Sequence, residues 1–263
     1  MKFGLGNIGK HSFYPTKKGK KRRLCCKICD TTFSTSKGTV YYRLQKSKSD
    51  FDEVISMSVE GQSGSSIARV KKISRNTVAN WRLKASVRAS KFQKKHLKGY
   101  DIKELQFDEM KTFLNGKKEE KWIFTSMEVS SRLWPATVIG RRSYKNTNSI
   151  INNTICRGKI DGRILVTTDG FEPYKYRIKA LIGVACVYAQ VIKTIRKNRV
   201  VCVDRRYIIG DQKRFEEQLF FSEDSNTVNT SFIERQNLTI RHLHTFQEKL
   251  YAMQERNIFL KLI

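Results

Sequence analysis

The sequence is short of proline, with three in 263 residues, and it lacks any long apolar run. Its longest apolar stretch, over residues 180–191, is too short for a bilayer and is broken by polar residues, which excludes a membrane-spanning helix. The N-terminus carries no apolar segment of the secretory kind, so a cytoplasmic protein with no membrane partner is expected. The 39% hydrophobic and 29% charged residues exclude a disordered chain and fit a globular one. Cysteines number six and only Cys25, Cys26 and Cys29 cluster, so free thiols or metal ligands are expected in place of a disulfide framework. The scarcity with most consequence is of acid, because 24 Asp and Glu face 52 Lys and Arg, a net charge of +28.

A chain this positive repels itself unless a polyanion neutralises it, which points to nucleic acid; ribosome association and an anionic lipid surface are the other readings of charge alone. The excess is greatest at the front, where residues 1–100 hold 24 basic and 5 acidic residues. At this length, one main domain with a smaller appendage is the natural organisation.

Residues 1–48 are rich in Gly, Lys and Ser and have too few apolar positions for much of a core. Residues 51–84 change character. Phe51, Val54, Ile55 and Val59 recur at helical spacing, followed by Ile67, Ala68 and Val70 and then Val78 and Trp81, which predicts three short helices over residues 51–84. The basic stretch 84–99 reads as a connector. From Leu105 the texture turns to strands, at 105–109, 121–127, 136–140, 163–168 and 184–192, with a polar turn at Asn115-Gly116 and helices at 144–156 and 231–250. The second half is therefore expected to be α/β, a sheet mixed with helices.

Cys26-Lys-Ile-Cys29 has the spacing that lets two thiolates reach one tetrahedral zinc, but it is half a site. His11 is a candidate third ligand, and unmetallated thiols are the plain alternative. Residues 66–81 suit a helix-turn-helix, with Ala68 at the close approach, Ile73, Val78 and Trp81 packing the pair, and Ser74 capping the second helix. Arg75, Asn76, Thr77 and Asn80 would then project from the helix half that reaches base edges, where Arg suits guanine and Asn suits adenine. A purely structural helix pair is the alternative. Lys72 falls where such a turn favours glycine, since a side chain at positive φ costs roughly 1 kcal/mol.

Three acids sit beside apolar runs: Asp108 within a strand pattern, Asp169 at a strand end, and Glu234 on a helix. Any one of them alone is ordinarily solvated or a helix cap. Together they match what phosphodiester cleavage and transfer require, namely carboxylate oxygens holding two magnesium ions roughly 4 Å apart. Asp108 would stand on a central strand, Asp169 on its neighbour and Glu234 on a helix alongside, with Asn237 one turn after Glu234 on the same face.

These residues resemble the transposases of the bacterial and archaeal insertion sequences named insertion sequence one. Phe107-Asp-Glu-Met is similar to that family's first carboxylate motif, Thr167-Thr-Asp-Gly-Phe-Glu-Pro-Tyr174 to its second, and Asn229-Thr-Ser-Phe-Ile-Glu-Arg-Gln-Asn-Leu-Thr-Ile-Arg241 to its third, in order. At the front, residues 18–29, Thr32-Phe-Ser and Gly38-Thr-Val-Tyr-Tyr-Arg-Leu44 are similar to the second half of its zinc ribbon. The resemblance implies an RNase H-like mixed sheet with flanking helices over 99–263, a helix-turn-helix domain and linker over 49–98 and a partial zinc-ribbon-like segment over 1–48. It implies Asp108, Asp169 and Glu234 as the catalytic, magnesium-binding triad, Asn237 and Arg241 in support, Cys26 and Cys29 as zinc ligands, double-stranded DNA at transposon ends and targets as partner, and a homodimer or larger assembly on DNA.

The chain departs from that pattern in having no first Cys-x-x-Cys pair, in Lys72, and in its residues after Arg241. The readings carried forward are an active transposase, an inactive or truncated copy of one, a non-catalytic DNA-binding repressor acting through the helix-turn-helix, and an RNase H-like nuclease without strand transfer.

Overall fold

The computed structural model describes residues 6–16, 19–114, 119–197, 199–222 and 227–242. The turn expected at Asn115-Gly116 and the end of the helix expected over 231–250 lie outside these.

The front of the chain forms a three-stranded antiparallel sheet, β1 (Ile8–Thr16), β2 (Gly19–Cys26) and β3 (Thr32–Ser34), where no strands were expected. Its composition hid it. Lysines and arginines occupy half of β2, and only Cys26 and Phe33 of the sheet's apolar side chains are buried, so the sheet has little core, as the scarcity of apolar residues requires. Cross-strand stacking of basic on aromatic side chains helps hold it: Arg22 faces Phe13 in the register, with its guanidinium carbon 4.2 Å from the ring centre.

Three helices follow, α1 (Lys48–Val59), α2 (Gly64–Val70) and α3 (Arg75–His96), packed around Phe51, Val54, Ile67, Ala68, Val78 and Trp81. A serine starts each one. Ser47, Ser63 and Ser74 accept from the backbone N–H three residues on, and Asp50 reaches back to the Ser47 N–H to complete a capping box. Between α2 and α3, the N–H of Ile73 donates to the Ala68 carbonyl and that of Lys72 to the Arg69 carbonyl, which places Lys72 at the left-handed position of a Schellman turn, with φ +50°. The expected strain at Lys72 is thus present. The connector expected over 84–99 is instead a continuation of α3 to His96. No proline or glycine interrupts it before Gly99, its residues are mostly good helix formers, and Lys94, Lys95 and His96 favour the negative end of the helix dipole.

The remainder is a six-stranded mixed sheet in the order β6-β5-β4-β7-β8-β9, formed by β4 (Tyr100–Leu114), β5 (Glu119–Glu128), β6 (Thr137–Gly140), β7 (Gly158–Thr168), β8 (Cys186–Arg196) and β9 (Arg199–Ile209). β4, β7 and β8 are parallel and the outer pairings antiparallel. The helices α4 (Tyr144–Ile155) and α5 (Glu172–Leu181) cover one face, burying Phe107, Phe124, Ile150, Ile164, Tyr174 and Tyr188. Across the other face lie α6 (Gln212–Phe220), against Leu165, Val187 and Ala189, and α7 (Ser231–His242), against Met110 and Ile123. Strand alternation sorts side chains to the two faces, so the central strands are apolar on both. Among the described residues, no helix is long and apolar enough to cross a membrane.

Candidate metal centre and nucleic-acid interface

The ladder between β4 and β7 ends at the pair Phe107 and Thr168, so Asp108 and Asp169 stand one residue past the last rung, on neighbouring parallel strands. Side-chain oxygens of Asp108, Glu109 and Asp169 all lie within 4.8 Å of one another there. Asp108 points toward α7. Its Oδ2 accepts from Asn237 Nδ2 at 2.7 Å and its Oδ1 from the Glu109 N–H at 2.8 Å. Asn237 in turn accepts from Thr125 Oγ1 at 3.0 Å, so β4, β5 and α7 meet at this amide.

Strand and helix periods are matched along this seam. Gln106, Asp108 and Met110 share a face of β4, and opposite them α7 presents the Ile233 N–H, which donates to Gln106 Oε1 at 3.0 Å, then Asn237, then Ile240 against Met110. Both positions expected one turn apart on α7, Glu234 and Asn237, therefore sit on the site's side of the sheet. Only Asn237 touches Asp108. The Glu234 carboxylate is held by Thr230 Oγ1 and by Lys193 Nζ, 2.6 Å from Oε2, on the opposite wall of a cleft of about 400 Å³ that Asp169, Arg142, Lys193 and Glu234 line.

Glu109 is the residue that sequence reasoning passed over. It faces α4 and α5, fully buried, and its Oε1 accepts from Arg142 Nε at 2.9 Å and from a second guanidinium nitrogen at 2.6 Å, while its Oε2 has no hydrogen-bond partner. The signal was its place beside Asp108, since consecutive residues of a strand point to its two faces. Arg142 is held by two rings and two acids although it stays partly exposed. Its guanidinium carbon lies 3.9 Å from the centre of the Phe171 ring and 4.6 Å from that of Trp122, and its terminal nitrogen is 3.8 Å from Asp169 Oδ2.

Crowded acids resist ionisation. Burial and then the Asp169 charge push Asp108 up to about 6, against the hydrogen bonds from Asn237 and the Glu109 N–H. Burial and the same neighbour push Glu109 up to about 8 although Arg142 opposes the shift. Asp169 is raised by burial, with the Phe171 N–H and Arg142 lowering it and Glu234 raising it. The donor set is all hard carboxylate oxygen, of the kind that could hold a divalent cation.

The other candidate residues lie at the front. Arg75, Asn76 and Asn80 are exposed on the first turns of α3 and Thr77 is half-buried. Thr77 and Asn80 open on a groove of about 1250 Å³ whose described lining includes Lys21, Arg43, Lys46, Lys72 and Lys84 and no acidic residue. Cys26, at the end of β2, is buried and Cys29 is exposed; Cys29 is held below the usual thiol range by hydrogen bonding with Thr31 and then by Cys26. His11 bonds Ser12, and among the described residues no group of three or more close His, Cys, Asp and Glu side chains includes Cys26 or Cys29. Arg241 is exposed near the end of α7. No protein-family model matches the chain, and no curated protein matches it.

Proposed function

We propose that the protein is a DNA strand-transferring nuclease of the transposase kind, with an RNase H-like catalytic unit centred on Asp108 and Asp169. The observation that carries this reading is the convergence of carboxylate oxygens from Asp108, Glu109 and Asp169 within 4.8 Å where the ladder between two adjacent parallel strands stops. A mixed sheet flanked on both faces by helices, with a carboxamide from α7 on the first carboxylate, is what the reading calls for. The net charge of +28 and the groove beside α3, without an acidic residue in its described lining, support a polyanion as partner.

In strand joining, a 3′ hydroxyl attacks a phosphodiester, one P–O bond forming as another breaks. Magnesium held by Asp108 and Asp169 would supply the activation of the attacking oxygen and neutralise the leaving one. Asn237 fixes the Asp108 carboxylate so that its orientation does not depend on the ligand. Arg142, pre-set by Glu109 and the Trp122 and Phe171 rings, offers a fixed cation where charge builds on the phosphate oxygens. Glu234 lies across the cleft from Asp169 with its negative charge felt by both aspartates, and is the natural third carboxylate once Lys193 gives way. Helices α2 and α3 act as a helix-turn-helix that reads end sequence through Arg75, Asn76, Thr77 and Asn80.

The test is incubation of the full chain with magnesium and a pre-cut duplex carrying the inverted repeats that flank its gene. Joined products are expected, and Asp108→Asn is expected to abolish them while leaving duplex binding nearly intact. Binding without cutting would assign the protein as a repressor, cutting without joining as a nuclease, and joining by the Asp108→Asn variant would sink the site assignment.

A further inference from the structure

β8 outruns its neighbour. Its pairing with β7 stops at Gln190, opposite Thr168, whereas its pairing with β9 continues to Arg196 opposite Arg199. Because β7 and β8 are parallel, these extra residues, 191–196, run past the level of Asp169 and lift a two-stranded ribbon of roughly 20 Å beyond the sheet. The ribbon starts at the cleft, whose wall includes Ile192 and Lys193. Beyond there it is exposed on both faces, and β9 is the sheet edge.

A ribbon exposed on both faces contributes little to a core, so its composition reports on something else. Its tip carries Arg196, Lys197 and Arg199, all exposed, with the apolar side chains Ile195, Val200 and Val201 between 53% and 63% exposed beside them. Its one acidic residue, Asp204, is taken by Arg206 at 3.1 Å. The tip charge is therefore uncompensated within the ribbon, at the far end of an arm that rises from the cleft. A two-stranded ribbon has the width that the major groove of a duplex admits, with basic side chains reaching the phosphates on the groove walls and apolar ones lying against base methyl groups and sugar edges.

We infer that the β8–β9 ribbon is a DNA-gripping arm, which lies on the duplex next to the cleft and holds the backbone through Arg196, Lys197 and Arg199. This rests on the reading of the cleft as a DNA site and adds a contact separate from α3. It also explains why an edge strand so rich in valine bears positive charge at its open end.

The arm is tested by the salt dependence of binding, measured by fluorescence anisotropy of a labelled duplex with the full chain in EDTA, which keeps chemistry out of the readout. Each phosphate contact contributes about 0.9 to the slope of log affinity against log salt. The triple variant Arg196→Ser, Lys197→Ser, Arg199→Ser is expected to lower that slope by about two to three, whereas Lys145→Ser, Lys175→Ser, Lys179→Ser, which removes the same charge from exposed positions on α4 and α5, is expected to leave it nearly unchanged. Equal slopes for the two triple variants would overturn the arm. So would an unchanged slope accompanied by conversion of a dimer to a monomer in sedimentation, which would make the ribbon a contact between copies. If the unaltered chain shows no salt-dependent duplex binding, the DNA reading itself falls and the arm with it; a normal wild-type slope with no special loss at the ribbon sinks only the arm.

Discussion

Asn237 donates to Asp108 across 129 positions of sequence at 2.7 Å, and accepts from Thr125 with its other amide atom. The side chain is buried, so it can be neither rotated nor replaced by water cheaply. Asn237→Asp sets a second carboxylate against the first. The metal-free variant should melt at lower temperature than wild type, and magnesium should recover most of the difference; a deficit that magnesium leaves unchanged would show that Asn237 serves packing alone.

The acids give the metal-free protein a distinctive pH profile. Asp108 is raised to about 6 and Glu109 to about 8, so in this interval the folded state binds more protons than the unfolded one. Their contribution is fully present below the unfolded carboxylate range, near pH 4, and is lost as pH rises through the folded values. Thermal midpoints in EDTA should therefore carry a falling component from about pH 4 to about pH 8. Asp108→Asn and Glu109→Gln should each flatten it, and a variant profile superimposing on wild type would contradict the assignment.

Arg142→Ala leaves Glu109 buried with no counter-charge. A loss of about 1–3 kcal/mol is expected in denaturant unfolding, discounted because the Arg142 side chain is 37% exposed. Combining it with Glu109→Gln should recover part of that loss. Simple additivity of the two would mean that the pair is not coupled.

At the turn between α2 and α3, Lys72→Gly relieves the left-handed strain and should raise stability by about 1 kcal/mol. A lower thermal midpoint would show that the lysine side chain contributes more than its backbone costs.

The strands and helices most legible in the sequence were those with one wet and one dry face, such as α1 with Phe51 and Val54, or those ending in a signal, such as α3 with Ser74. Asp108 and Asp169 were readable because each adjoins an apolar run that a central strand must have. Illegible were β1 and β2, whose aromatic and basic alternation looks like loop, and β9, whose residues are exposed on both faces and so carry no burial pattern. The helices α5 and α6 were missed as well, α5 directly after the Asp169 motif. Glu109 and Arg142 could not be linked from sequence, since 33 positions separate them and only the arrangement of β4 against the start of α4 brings them together.

The distance between the two aspartates is set by where a ladder stops, at Phe107 and Thr168. The site is thus counted out in rungs. Insertions in the turns between strands change nothing at the carboxylates, but one residue added within β4 ahead of Asp108 would swap the faces of the sheet, turning Phe107 toward α7 and the aspartate into the apolar layer under α5. Natural variation in this chain's relatives should accordingly show freedom in loop length and near-fixed spacing within β4 and β7.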